Sequence, residues 1–169
     1  MADPIHVAEA ALIDHSSMTV SSLDPADTRS IEVEIAGPAA LLVAKLHKLH
    51  DRMNAGKQDR LDDKDASDVV RIMQTIAVDD IAPVLARLLE DSIAGGVTRD
   101  ALTYLDELFG RRGRPGIVMA ARAMREVMAE ETVEVISTRF AEAVIAGVRR
   151  EGVAKELTRE AKKLGLYEN

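Results

Sequence analysis

The sequence predicts an α+β protein: a small N-terminal sheet of two to three strands within residues 1–36, followed by a bundle of about seven helices over 37–169. Three observations carry that expectation. The segment "SIEVEIAG" alternates with a period of two, placing Ile31, Val33 and Ile35 on one face and Glu32 and Glu34 on the other. From Gly37 onward the apolar residues recur every three to four positions, the period of an amphipathic helix. Aromatic residues make up only 2% of a chain that is 47% hydrophobic, so the core must be built from Leu, Val, Ile, Ala and Met. That composition suits packed helices better than a β-sandwich.

Ahead of the alternating strand, "AEAALIDHSSMTVSSLD" holds two short apolar runs separated by Asp14, His15, Ser16 and Ser17, the pattern of a hairpin or a strand–turn–strand. "DPADTR" is a turn, with Pro25 set between Asp24 and Asp27. So few strands cannot cover their own faces and need another element to pack on. Pro38 suits a first helical position, and Leu42, Leu46, Leu49 and Met53 follow on one face. "NAGKQDR" is a polar loop, after which Asp62 is the expected N-cap of a helix burying Val69, Ile72, Met73 and Ile76. Further helices are expected over about 79–93, 98–109 (capped by Thr98), 115–129, 133–149 and 152–164. The separators "AGGVT", "GRRGRPG" and "REG" each carry glycine.

A formal net charge of −7 argues against non-specific nucleic-acid binding by the chain as a whole, while leaving room for a local basic patch. Without cysteine there are neither disulfides nor thiolate metal sites. The N-terminus "MADPIHVAEA" lacks the basic and apolar regions of a signal peptide, and no apolar run approaches roughly 18 residues. A soluble, cytoplasmic protein without a membrane partner is the expectation.

The stretch from Leu41 to Met73 holds the residues most suited to chemistry. Lys45, Lys48 and Arg52 are spaced by three and four, which makes one basic stripe on a helix. Asp65 and Asp68 stand four residues before Val69 and Ile72, at the rim of the buried face of the next helix. Consecutive helices joined by a short loop pack antiparallel, so Lys45 is expected within salt-bridge reach of Asp65 or Asp68. From spacing alone, the commoner outcome is ordinary charged helix edges, with Asp65 at capping-box distance from Asp62.

"AKLHKLHDR" followed by "DKDASDVVRIM" resembles the last two motifs of the AbiEii-type nucleotidyltransferases, the toxin components of some bacterial toxin–antitoxin and abortive-infection systems. Lys45, Leu46, Leu49 and Arg52 match the first motif at its spacing, with Lys48 where the family often has Ala. Lys64, Asp65, Asp68 and Val69 match the second, with Lys for Arg and Val for Leu. The resemblance covers about Ser30 to Gln74. It implies nucleotidyl transfer from a nucleoside triphosphate supported by Mg²⁺, with phosphate charge neutralised by cationic side chains. Under it Lys45 contacts the triphosphate, Asp65 orients Lys45 or polarises a neighbour, Asp68 supports Asp65, and Glu34 or Glu32 supplies a third acid. Lys48 and Arg52 complete the substrate-binding stripe. An antitoxin is the implied protein partner, and a nucleic-acid acceptor is left open.

The family signature begins with a Gly-Ser turn followed by an Asp-x-Asp pair on a strand. No Gly-Ser dipeptide occurs in these 169 residues, and neither Asp14 nor Asp24 sits in such a pair. The segment that would hold the metal is missing, so the chain is expected to be catalytically incomplete by itself. Three explanations stand open: a longer gene product, strands supplied by a separate polypeptide, or a relative that kept only the scaffold. The alternative function is a non-catalytic helical interaction module.

Among the other features, Arg111, Arg112 and Arg114 in "GRRGRPG" offer a phosphate or RNA contact, or simply a helix stop before Pro115. His47 and His50, three apart, would need His6, His15 or Asp51 to complete a metal site and more often mark a partly exposed edge. The stripe Val135, Ile136, Phe140, Ala143 and Val144 suits intramolecular packing or self-association through the terminal helices.

Overall fold

The computed structural model describes residues 8–54 and 60–163, and within them the chain is α+β. One turn of 3₁₀ helix (Glu9–Leu12) leads into a hairpin of β1 (His15–Ser21) and β2 (Ser30–Ala36). Then follow α1 (Pro38–Asn54), α2 (Arg60–Thr75), α3 (Val78–Glu90), α4 (Gly95–Phe109), α5 (Pro115–Met124) and α6 (Glu130–Lys163). The seven helices expected are six among the described residues, because α6 runs unbroken through "REG". Gly152 has open space where a Cβ would stand, so nothing there forces a break. An interior glycine costs a helix only about 1 kcal/mol, which the flanking residues absorb.

The first apolar run is the 3₁₀ turn and not a strand, with Ala10 fully buried in the core. His15, Ser16 and Ser17, expected between two strands, begin β1 instead. The antiparallel register pairs His15 with Ala36 and Ser21 with Ser30. At the reversal the Ala26 N–H donates to Asp24 Oδ1 at 2.9 Å, an Asx turn that "DPAD" encodes. One hairpin face carries Met18, Val20, Ile31, Val33 and Ile35, and much of it meets water: Ile31 is 63% exposed. Asp14 ties this unit to the bundle, its Oδ2 accepting the Ala40 N–H of the first turn of α1 at 2.9 Å.

In α1, Leu42, Leu46 and Leu49 are fully buried, as their spacing requires, and Met53 packs at their edge. This helix lies between α2 and α4, while α2 runs along α5 and α3 along α6. Gly147 allows the last of these contacts, since a Cβ there would stand 2.8 Å from the Ala82 methyl. The helix α2 starts at Arg60, which puts Asp62 inside its first turn and not at the N-cap. The side chain of Asp62, most of the "NAGKQDR" loop and His6 lie outside the described residues.

The start of α4 departs from expectation for a local reason. Asp91 Oδ1 accepts the Ile93 and Ala94 N–H groups at 2.8 and 2.9 Å, so an acid seven residues before Thr98 organises the entry. Thr98 is buried within the helix and donates to the Ala94 carbonyl at 2.8 Å. The buried stripe of α6 is Val133, Phe140, Ala141, Val144 and Val148, rotated from the one expected, which leaves Val135 43% exposed. Among the described residues no helix is long and apolar enough to cross a membrane.

Candidate functional site

The basic stripe of α1 and the acidic rim of α2 meet. Lys45 Nζ donates to Asp68 Oδ2 at 2.8 Å and lies 3.9 Å from Asp65 Oδ1. Lys48 Nζ donates to Asp65 Oδ1 at 2.9 Å, and Arg52 Nη1 pairs with Asp65 Oδ2. Positions rise along α1 as their partners fall along α2, which is the signature of an antiparallel pair. The helices bring these side chains together because Leu42, Leu46 and Leu49 bury one face of α1 while Ala66, Val69, Val70 and Met73 bury the matching face of α2. The charged residues sit one step round each helix, at the seam.

Burial is uneven across this network. The Asp65 side chain is only 5% exposed, whereas Lys48 is 47% exposed and closes the network on the solvent side. Asp68 is intermediate, and Arg71 reaches its Oδ1 at 2.8 Å. Spacing did not single out Arg71, although its place three residues after Asp68 makes an i,i+3 pair that could have been found. Burial pushes the Asp68 carboxyl up, but the hydrogen bonds and charges of Lys45 and then Arg71 outweigh it and hold the pKa below the ordinary carboxylate value. Among the described residues four cations thus face two carboxylates, with two positive charges in excess. An anion is the natural complement of that excess.

Glu34 and Glu32 lie elsewhere, on β2. Glu34 accepts from Ser17 Oγ at 2.6 Å and from His15 Nδ1 at 2.7 Å, both on β1. Those bonds, that of Ser17 first, lower its pKa. Neither glutamate is bonded to the cations of α1 among the described residues. The strand alternation alone could not reveal this, because it fixes a face and not a distance to another element.

No family model matches the chain, and the searches of curated proteins and of solved structures found no match. The chemistry open to the site rests on its own geometry. Both oxygens of Asp65 and both of Asp68 are already taken by cations, and among the described residues no three metal-ligating side chains converge. These residues do not fit a Mg²⁺ ion, which needs several free carboxylate or carbonyl oxygens. What the network does is hold Lys45, Lys48 and Arg52 in fixed positions along the seam between α1 and α2.

His47 and His50 turn away from that network. His47 is 2% exposed and donates from Nε2 to the Val97 carbonyl at 2.8 Å, tying α1 to α4. His50 stacks on Tyr104 with ring centroids 3.7 Å apart. The partly exposed edge expected for this pair holds for His50 only. In "GRRGRPG", Gly113 takes a positive φ of 71° and Pro115 opens α5, the geometry of a helix stop and restart, with Arg112 paired to Glu134.

Proposed function

We propose that the chain carries one wall of a nucleotidyltransferase site of the AbiEii type, catalytically incomplete by itself, that handles a nucleoside triphosphate when further strands complete it. The observation that supports this reading is the convergence of Lys45, Lys48 and Arg52 with Asp65 and Asp68, motif residues from two helices, in a network with positive charge to spare. In it Lys45 neutralises a phosphate oxygen, and Asp68 fixes the direction of its ammonium. Asp65 holds Lys48 and Arg52 at the same surface, so that neither must be ordered when a ligand arrives. Among the described residues the outer edges of β1 and β2 pair with no further strand, and added strands would pair there.

A second reading is favoured by a different observation: every carboxylate oxygen of the network is engaged, as in a purely structural clamp. The chain is then a helical interaction module in which the network only locks α1 to α2. To separate the two, the coding sequence ahead of Met1 is read, and any in-frame extension bearing Gly-Ser and Asp-x-Asp is expressed joined to this chain. We expect transfer of label from an α-phosphate-labelled nucleoside triphosphate in the presence of Mg²⁺, abolished by Lys45→Ala. No transfer, or transfer that survives Lys45→Ala, would leave the interaction module standing.

A further inference from the structure

The end of α6 overhangs the bundle. Residues 152–160 are exposed apart from Lys155, which reaches Glu90 Oε2 at 3.2 Å. Two large apolar side chains lie bare there, Val153 at 57% and Leu157 at 62% exposure. Immediately before the overhang, α6 forms one wall of a groove of about 770 Å³ whose other wall is α4. Leu102 and Ile145 contribute to its apolar floor, and the rim carries Arg99, Arg111 and Arg149 among Asp106, Glu107 and Glu142. None of these six rim side chains makes a hydrogen bond or ion pair among the described residues.

We propose that this groove receives the α6 overhang of a second copy of the chain, the two long helices running antiparallel about a two-fold axis. Groove and overhang follow one another on the same helix, so a single symmetry operation fills both grooves at once. Positions 142, 146, 149, 153, 156, 160 and 163 step by four and three along one seam of α6. With Val153 close to the axis, Arg149 stands beside Glu156 of the second copy, and Glu142 beside its Lys163. Each pair then occurs twice. Leu157 of the overhang comes down beside Val148 and Arg149, at the edge of the apolar floor. From Glu151 onward the helix mixes Glu151, Glu156 and Glu160 with Lys155, Arg159, Lys162 and Lys163, and the rim also carries both signs. A uniformly acidic or basic partner would leave half of the rim opposed by like charge. This pairing uses no residue of the Lys45 network and stands or falls independently of it.

The test is sedimentation velocity on the full chain from low to high micromolar concentration. A monomer–dimer equilibrium is expected, and Val153→Glu with Leu157→Glu should weaken it by at least about tenfold. Both side chains are exposed in the monomer, so circular dichroism and the thermal midpoint of the monomeric variant should show an intact fold. Arg149→Glu and Glu156→Arg should each weaken the dimer, and the two together should restore it. A chain that stays monomeric throughout would overturn the proposal. So would a dimer indifferent to the overhang substitutions, or charge reversals that fail to rescue one another.

Discussion

Replacing Asp65 by alanine removes the most buried member of the network and leaves three cations facing one another. Asp65 is 3% exposed and accepts from Lys48 at 2.9 Å and from Arg52, with Lys45 at 3.9 Å. At an effective dielectric constant near 20, one unit-charge pair at about 4 Å is worth roughly 4 kcal/mol before desolvation. Breaking one side of a fully buried pair costs about 3–5 kcal/mol. Here the cations are 24% to 47% exposed and recover part of their hydration when the acid is lost. The expected loss is therefore about 2–3 kcal/mol, between the buried and exposed limits. For a chain of this size that lowers the thermal midpoint by roughly 5–10 °C. Urea unfolding followed by far-UV circular dichroism measures it directly, as a lower midpoint at unchanged slope. Asp68→Ala, whose side chain is 23% exposed, should cost only about 1 kcal/mol. If Asp65→Ala cost no more than Asp68→Ala, the reasoning from burial would be wrong.

The lowered pKa of Asp68 gives its pairing a pH signature. Its contribution is present in full above the unfolded carboxyl value and is lost as pH falls below about 4, so the stability gap between wild type and Asp68→Asn should close over that window in acid urea titrations. Gly152→Ala should stabilise α6 by about 0.5–1 kcal/mol, read as a higher urea midpoint; destabilisation would mean that the helix breaks at "REG" after all. The 169-residue chain alone should show no Mg²⁺-dependent thermal shift with any nucleoside triphosphate. A clear shift abolished by Lys45→Ala would show that it is not catalytically incomplete.

Several features of the fold are legible along the chain because they depend on neighbouring residues. The alternation of Ile31, Val33 and Ile35 marks β2, and the spacing of Leu42, Leu46 and Leu49 marks the buried face of α1. The meeting of Lys45 with Asp68 follows from two helical periods and a short connection. The helix entries are less legible: Asp14 reaches the Ala40 N–H across 26 residues, and Asp91, not the expected Thr98, accepts the first N–H groups ahead of α4.

What the sequence by itself determined is the change of period at Gly37 and the charged edges of α1 and α2, since side-chain periodicity is a local property of the backbone. Only the tertiary structure decided that Arg52 and Lys48 share Asp65, that Arg71 joins through Asp68, and that Glu34 binds His15 and Ser17 instead. It also decided that α6 continues past Gly152 and leaves Val153 and Leu157 bare. Those outcomes turn on the distance and packing between elements far apart in the chain, which no local period encodes.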